Sequence, residues 1–364
     1  MSILFEPVKI GSMMVKNRFV RSATAERAVD EKGFVTDDML QLYRRLAEGG
    51  VGMLITGHAY VHSTGRTSLH QAAIHTDEYI PRLGELANAT HAASEDCKVI
   101  IQISHGGRQV SLDSVSESIA PSAVTDSDTG IIPRAMTEAK IEECIDSFAQ
   151  AARRAKEAGF DGVQLHSAHG FLISEFNSPY TNRRKDKWGG NLENRMRFLM
   201  EVYRQVRQTV GEDYPVLIKL NTADYLKEGG LTIDESVKIA KTLSDAGINA
   251  IETSGGMYES VENQGAARKV SSINEEAYFA SNAARIKEIV DVPVILVGGL
   301  LSVSVMKYVI QKDIADLVSM SRPFIREPDL PNKIKAGKTK ADCISCNGCF
   351  GTKFVPVACV HTMG

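Results

Sequence analysis

Two histidines three positions apart, His166 and His169, are the residues of this sequence best suited to chemistry. They follow a short, mostly apolar stretch at 162–165, which predicts a buried strand ending at the first histidine. Only two small residues separate the two imidazoles, so both can turn toward the same ligand atom. A carbonyl oxygen is a suitable acceptor for such a pair of donors. The pair predicts a site that binds a carbonyl-like group, with a zinc site or two structural histidines as the alternatives.

The elements that must position these histidines form a repeating pattern, because strand-like apolar runs alternate with helix-like segments. Ile141, Ile145 and Phe148, for example, share one face of the helix before the fourth run. Eight such units with continuously apolar strands predict an α/β fold, a closed (β/α)8 TIM barrel, with a doubly wound open sheet as the alternative. The predicted strands are Arg18 to Ala23, Gly52 to Thr56, Val99 to Ser104, Gly162 to His166, Val216 to Leu220, Ala250 to Ser254, Val294 to Val297, and Asp316 to Met320.

Several small, polar or charged residues arrive at the carboxyl ends of these strands, where the active site of a barrel lies. Among them, Gly298 and Gly299 allow close backbone approach, and Arg322 supplies a fork of donors in the next loop. Loops after strands seven and eight commonly bind phosphate, so this set predicts a phosphate site; the alternative is that the glycines only turn the chain. The other residues arriving at these ends are Ser22, Ala23, Thr24, Ala25, His58, Gln102, Lys219 and Ser321.

Composition narrows the class of partner. The chain has 364 residues, 43% of them hydrophobic, and a net charge of -3, which gives no electrostatic case for nucleic acid or an anionic membrane. The first twenty residues lack the uninterrupted apolar core of a signal peptide, and no run is long enough for a membrane span. The sequence therefore predicts a cytoplasmic protein whose partner is a small molecule.

Two further regions carry predictions. The segment from Gly106 to Glu138 is long for a connection and predicts a lid over the pocket, or a surface insertion without a role. Four cysteines crowd the last 22 residues with two-residue spacers between the first three, and such thiolates can close on one centre. We therefore divide the chain into a barrel at 1–338 and a cysteine-rich tail at 339–364. The candidate ligands in the tail are Cys343, Cys346, Cys349 and Cys359.

Longer motifs make the chain resemble the old yellow enzyme family of FMN-dependent oxidoreductases, from about residue 3 to residue 338. Within that family it is most similar to the branch containing 2,4-dienoyl-CoA reductase and trimethylamine dehydrogenase, whose members are longer and carry an iron–sulfur cluster. The motifs are LFEPVKIGSMMVKNRFVRSAT near the start, QISHGGRQ from Gln102, APS from Ala120, SPYTNRRKDKWGGNLENRMRF from Ser178, and ADLVSMSRPFIREPDLPNK from Ala315.

The resemblance implies an FMN-dependent oxidoreductase that moves hydride between flavin N5 and a small substrate held by His166 and His169. Candidate substrates are enones, enoyl thioesters, nitro compounds and amines. Lys219 would lie near the N1/O2 edge, where positive charge stabilises the anionic reduced flavin. The other implied flavin contacts are Ser22, Ala23, Thr24, Ala25 and His58 along the ring, Gln102 at the pyrimidine edge, and Gly298, Gly299, Ser321 and Arg322 at the phosphate.

The resemblance also favours a [4Fe–4S] cluster on the four tail cysteines, with zinc, redox thiols or an empty vestige as alternatives. The sequence contains no G-x-G-x-x-G after a strand, so NAD(P)H would bind transiently over the flavin, or a partner protein would donate electrons. Because members of the family often associate, a homo-oligomer is expected.

One departure from the family stands beside the second histidine. Family reductases place a proton-donating tyrosine there, but this chain has Phe171, whose ring cannot donate. Tyr180, Tyr225, Tyr258 or water would then supply the proton. Two rival functions remain open: a lyase that uses Lys219 as a Schiff-base nucleophile, and a non-catalytic flavin-binding or electron-relay module.

Overall fold

The computed structural model describes residues 2–351 and 356–362 of the chain. Eight parallel strands form a closed barrel, since the second of them, Met53–Ile55, hydrogen-bonds to both the first, Phe19–Arg21, and the third, Lys98–Ser104, and thereby joins the two edges of the sheet. The barrel strands are β3 (Phe19–Arg21), β4 (Met53–Ile55), β6 (Lys98–Ser104), β9 (Gly162–Ser167), β10 (Val216–Asn221), β11 (Ala250–Ser254), β12 (Val294–Val297) and β13 (Leu317–Met320). A short strand, β5 (Ala59–Tyr60), extends the pairing of β6. The predicted TIM barrel is confirmed.

All eight predicted strands are present, and their predicted ends lie within two residues of the observed ones. The side chains of these strands are almost all buried. Those that point inward fill the barrel and those that point outward pack against the helices, and this burial on both faces is typical of parallel sheets. Parallel pairing holds the register from strand to strand: Lys219 on β10 lies opposite His166 on β9 and Glu252 on β11. Three polar residues are thus brought side by side.

Helices surround the barrel and present their apolar faces to it. The helix before β9, α3, buries Ile141, Ile145 and Phe148, as their spacing predicts. Gly159 follows it with a left-handed φ of +85°, the usual conformation after a helix end. The helices are α1 (Asp37–Glu48), α2 (Ile80–Ala93), α3 (Glu138–Glu157), α4 (Leu172–Asn177), α5 (Leu192–Val210), α6 (Ile233–Asp245), α7 (Ala280–Lys287), α8 (Val303–Gln311), α9 (Arg322–Arg326), α10 (Leu330–Lys335) and α11 (Gly348–Gly351).

An antiparallel hairpin, β1 (Val8–Ile10) and β2 (Met13–Val15), precedes the first barrel strand. Its side chains Ile10, Met13 and Val15 are buried in one apolar cluster with residues from the inside of the barrel strands. The amino-terminal end of the barrel is therefore closed by packed side chains, and the open space lies at the other end.

The segment between β6 and α3 carries two short parallel strands, β7 (Ile119–Ala120) and β8 (Arg134–Ala135). Arg108, whose side chain is 0% exposed, fixes the start of this segment through two bonds to Glu259, at 2.7 and 2.9 Å, and an ion pair with Glu175 at 3.3 Å. The segment is thus held to the loops after β9 and β11.

The tail begins as an extension of the barrel. Ser302 and Lys340 form an isolated antiparallel bridge, and the N–H of Ala341 donates to the carbonyl of Leu301. No observation tests the division at residue 338, which stays a prediction.

Candidate active site

One open cavity lies at the carboxyl ends of the strands, where the sequence predicts the site. It encloses about 1040 Å³ of empty space including its mouth, a volume suited to a cofactor-sized ligand. All thirteen residues predicted for catalysis or flavin binding line it: Ser22, Ala23, Thr24, Ala25, His58, Gln102, His166, His169, Lys219, Gly298, Gly299, Ser321 and Arg322. The structure brings the residues together, while their individual roles stay predictions.

The two histidines meet edge to face, with ring centroids 5.2 Å apart. The backbone N–H of Ala168 donates to Nδ1 of His166 at 3.3 Å, so the proton of a neutral ring is on Nε2. His169 reaches its place because its backbone is left-handed, with φ at 63°, and its Nε2 lies 2.7 Å from Ser254 Oγ. A non-glycine residue in this conformation at a strand end is typical of functional sites.

Burial keeps these rings neutral. Loss of water around His166 and the neighbouring His169 lower the pKa of His166 well below its usual value. Burial, followed by the positive charge of Lys219, lowers the pKa of His169 to about 3. Both side chains therefore act at neutral pH as uncharged hydrogen-bonding groups rather than as acids that release a proton from a cation.

His58 and Phe171 complete this side of the cavity. The Phe171 ring packs against both His58 and His166, at centroid distances of 4.9 and 4.6 Å. Gln71 Nε2 donates to His58 Nδ1 at 3.0 Å, which places the His58 proton on Nε2. Burial lowers the pKa of His58 to about 4, so it too is neutral.

A buried polar network lines the floor of the cavity near Lys219. Lys219 Nζ donates to Ser22 Oγ at 2.8 Å and lies 3.2 Å from Glu252 Oε2. Gln164 donates to Glu252 at 2.8 Å and accepts from Gln102 at 2.7 Å. The network offers a ligand both a cation and an amide, a donor set that fits the edge of a flavin pyrimidine ring.

The other end of the cavity contains Arg322 with Gly298 and Gly299. A Cβ on either glycine would come within 3.0 Å of the Tyr278 ring, so packing against Tyr278 accounts for the absence of side chains. Arg322 is buried, and its guanidinium donates to Asn347 Oδ1 at 2.6 Å. A cation with further N–H groups at this end suits a phosphate.

The tail contributes to the same cavity. Ser345 and Phe350 are among its lining residues, and Asn347 also donates to the carbonyl of Ala267 at 3.0 Å. Ser345 and Asn347 both have left-handed backbones, which turn the chain back toward Arg322. This part of the tail is therefore a wall of the cavity.

The four tail thiols line a second, much smaller cavity behind Arg322, together with His361. All six cysteines of the chain are among the described residues, and none forms a disulfide. The Nε2 atom of His361 lies 3.5 Å from Cys346 Sγ. Within residues 2–351 and 356–362, no three His, Cys, Asp or Glu side chains are arranged to hold one metal ion, so the predicted metal site stays a prediction.

The structure also locates the predicted lid and the candidate proton donors. Residues 106–138 are all described, and none is among the residues that line the cavity; Gln109 donates to the His169 carbonyl at 2.9 Å. The segment therefore contacts the second histidine beside the cavity, and its role as a lid stays a prediction. Tyr180, Tyr225 and Tyr258 also lie outside the lining, because the first two pack against arginines and the third is 61% exposed.

Sequence reasoning missed Glu252, Gln164 and Asn347. A signal existed for Glu252, because a carboxylate in the middle of a buried apolar strand needs a buried cation or several donors. The amide of Gln164, a polar group within the buried strand β9, gave a similar but weaker signal. Asn347 gave none, since its contact with Arg322 joins residues 25 positions apart.

Among the described residues, no helix has both the length and the apolar character needed to cross a bilayer.

Comparison with known proteins places the chain in context. The model of the NADH:flavin oxidoreductase / NADH oxidase family matches residues 3–341. An NADH oxidase of Thermoanaerobacter brockii is 39% identical over 96% of this chain and 53% of its own length. The chain therefore spans about half the length of this relative.

Two solved structures share the fold closely. A 2-naphthoyl-CoA reductase in complex with 2-naphthoyl-CoA superimposes with a TM-score of 0.88 and 31% identity, over 95% of this chain and 54% of that one. An old yellow enzyme homologue from Zymomonas mobilis gives a TM-score of 0.80 and 26% identity, over 94% of this chain and 95% of that one.

Proposed function

The chain belongs to the NADH:flavin oxidoreductase / NADH oxidase family, and from that premise we propose that it is an FMN-dependent oxidoreductase. The proposed reaction uses NAD(P)H to reduce a conjugated carbonyl compound, either an enone or an unsaturated acyl thioester. Bound FMN would supply the redox chemistry, accepting a hydride equivalent from the nicotinamide and returning it to the substrate. The 2-naphthoyl-CoA reductase among the structural neighbours supports the acyl thioester as a substrate class.

The observation that carries this proposal is the neutral histidine pair facing the cavity. The N–H of His166 Nε2 is a hydrogen-bond donor, and His169 is adjacent to it. We place the His169 proton on Nδ1, with its Nε2 accepting from Ser254 Oγ. Two neutral donors then favour an acceptor oxygen, so a carbonyl fits better than an amine, and a nitro group is the alternative acceptor. Donors fixed before the substrate arrives stabilise the charge that develops on its oxygen during hydride addition.

The residues that line the cavity match the chemistry of FMN at both ends of that cofactor, its pyrimidine edge and its phosphate. Gln102 and Lys219 would hold the pyrimidine edge, and Arg322 would hold the phosphate, because their donor types match those groups. Ser22, Ala23, Thr24 and Ala25 would pass along the ring, with His58 beside it. Gly298, Gly299 and Ser321 would complete the phosphate loops.

The proton that accompanies hydride addition needs another source. Phe171 occupies the site beside His166 and cannot donate. Since none of the three alternative tyrosines lines the cavity, we propose that water entering by the open mouth delivers the proton.

The lyase alternative is disfavoured by the environment of Lys219. A Schiff-base lysine must be an uncharged amine to attack a carbonyl. Here Nζ donates to Ser22 Oγ at 2.8 Å and lies 3.2 Å from Glu252 Oε2, so the nitrogen is held in the buried polar network instead of facing a substrate carbonyl. A non-catalytic electron-relay module remains a second outcome of the test below.

For the tail, we propose a [4Fe–4S] cluster on Cys343, Cys346, Cys349 and Cys359. Support comes from the common cavity that these four thiols line, since each iron of such a cluster takes one thiolate. Iron and zinc analysis of anaerobically purified protein decides this part. About four irons per chain supports the cluster, and one zinc or no metal refutes it.

The test of function uses purified protein incubated with FMN. We expect a flavin spectrum that bleaches with NADH or NADPH and recovers when 2-cyclohexenone or a cinnamoyl thioester is added. His166→Ala combined with His169→Ala should keep the flavin but lose at least 100-fold in kcat/KM for the acceptor, since it removes both donors.

A matched control is His105→Gln, which replaces a buried histidine outside the cavity and should leave kcat/KM within about threefold of the parent value. A protein that binds no FMN contradicts the proposed function. Flavin that NAD(P)H reduces but that no small acceptor reoxidises points instead to an electron-relay module.

A further inference from the structure

Glu252 on β11 is a carboxylate that is 0% exposed beneath the cavity, and the proposed reaction gives it no role. Four polar side chains contact it. Its Oε1 accepts from Ser22 and Ser319, each at 2.8 Å, and its Oε2 accepts from Gln164 at 2.8 Å and faces Lys219 at 3.2 Å. Partners on both oxygens hold the carboxylate in one position.

The first consequence concerns charge. Lys219 is 3% exposed and lines the cavity, so by itself it would present a full positive charge to a ligand there. With Glu252 at 3.2 Å the pair has no net charge. The ligand therefore receives a hydrogen-bond donor from Lys219 without most of its electrostatic field, which is long-ranged in a buried site.

The second consequence concerns the direction of the amide groups. Glu252 can only accept, so Gln164 must turn its Nε2 toward it. The Oε1 of Gln164 then faces Gln102, and Gln102 must donate its own Nε2–H to that oxygen, at 2.7 Å. The carboxylate thus fixes the orientation of Gln102 through one intervening side chain, and leaves the Gln102 oxygen available to a ligand.

We propose that Glu252 is a positioning residue that lowers the reduction potential of the bound flavin and orients Gln102 toward its pyrimidine edge. The inference rests on the proposed function, because it needs a flavin above Lys219. Two-electron reduction adds negative charge to a flavin, so a cation alone would favour the reduced form, and the paired carboxylate removes that preference.

The test measures the midpoint potential of the flavin by spectroscopic titration against reference dyes, with no acceptor substrate present. Glu252→Gln should shift the equilibrium toward reduced flavin at least tenfold, which is about 30 mV for a two-electron couple. Glu252→Leu, which offers Gln164 Nε2 no acceptor and so releases the Gln164 and Gln102 amides, should in addition weaken binding of oxidised FMN several-fold.

Ser319→Ala is the matched control, since it removes one hydrogen bond from Glu252 and leaves the charge. In Ser319→Ala, the equilibrium constant between oxidised and reduced flavin, read from the midpoint potential, should stay within threefold of the parent value. An unchanged potential in Glu252→Gln, or an equal shift in Ser319→Ala, overturns the inference. If the parent protein binds no FMN, the proposed function fails first, so the two failures are distinguishable.

A second variant keeps the inference testable if Glu252→Gln does not fold. The double variant Lys219→Met/Glu252→Gln removes both charges. Its equilibrium constant between oxidised and reduced flavin should be within a few-fold of the parent value. Lys219→Met alone leaves the anion and should favour oxidised flavin. If the double variant instead matches Lys219→Met alone, the charge of Glu252 has no influence and the inference is wrong.

Discussion

Burial determines what single residues at this site can do. His58, His166 and His169 are all neutral because the protein removes water from around them. As hydrogen-bonding groups they can hold a substrate oxygen, but they have no cationic proton to transfer at neutral pH. Phe171 packs against two of these rings and shapes the wall of the cavity, but its ring cannot donate a proton. Recognition and proton delivery are therefore separate tasks in this cavity.

Replacing Phe171 with tyrosine should raise the rate of enone reduction. The new hydroxyl would lie beside His166, whose ring is 4.6 Å from the present phenyl centroid, and could donate a proton that otherwise comes from water. Positioned proton donors contribute roughly 100-fold or more to rate. We expect kcat to rise at least tenfold in steady-state assays, and the solvent deuterium isotope effect to change with it.

Phe171→Leu is the control, since it alters packing without adding a donor. An equal gain in Phe171→Leu, or no gain in Phe171→Tyr with both proteins folded, would show that proton delivery does not limit the reaction.

At the scale of elements, Asn347 is one of several residues that join the tail to the barrel, and it does so at the end of the cavity that contains Arg322. Asn347 accepts from Arg322 and donates to Ala267, so it fixes the guanidinium against the loop after β11. Asn347→Ala should weaken FMN binding about tenfold, or about 1.4 kcal/mol, because Arg322 loses its orientation. Fluorescence titration of the apoprotein with FMN measures this.

Asn194→Ala serves as the matched control, because Asn194 accepts a hydrogen bond from Arg197 on the outer surface of α5. Its dissociation constant for FMN should equal that of the parent. Equal affinities in Asn347→Ala and the parent would mean that Arg322 is positioned by the barrel alone.

The sequence was sufficient to predict those elements whose pattern of residues is local, that is, contained within the element itself. Each barrel strand is an apolar run bounded by turns, and the residues at its carboxyl end follow directly from the barrel topology. Contacts that join distant parts of the chain were not predictable. Arg322 with Asn347, and Arg108 with Glu259, depend on how loops fold back, and no periodicity encodes that.

The position of the segment 106–138 was not predictable for the same reason. Its length and composition were read correctly as an irregular segment, but its position is set by the buried Arg108, which holds it beside the cavity. A single arginine in a motif does not reveal which carboxylates it will reach.

At the scale of the whole molecule, buried neutral histidines make stability depend on pH. The pKa values of His105 and His169 fall to about 3 and that of His58 to about 4, against 6.5 in an unfolded chain. At pH values between the folded and the unfolded pKa of a histidine, the unfolded chain binds more protons than the folded one. The contribution of these histidines to stability is therefore complete above pH 6.5 and falls as the pH drops toward 4, whereas the buried Glu175 carboxyl, whose pKa burial raises to about 8, acts in the opposite direction.

From pH 7 to pH 5, each histidine that stays neutral should cost on the order of 2 kcal/mol in the free energy of unfolding. Urea denaturation at the two pH values measures the loss. His105→Gln removes one titrating group and should lose less than the parent over the same interval. The same loss in both proteins would contradict the lowered pKa of His105.

The hairpin of β1 and β2 fills the amino-terminal end of the barrel with Ile10, Met13 and Val15. Among the described residues, the cavity therefore opens at the carboxyl ends of the strands, and in the proposed reaction the nicotinamide and the acceptor would both approach the flavin from that side. We expect double-displacement kinetics, with parallel lines in double-reciprocal plots and inhibition of the reductive half-reaction by excess acceptor; intersecting lines would require both to be bound together. A barrel closed at its base thus gives both proposed substrates one shared approach.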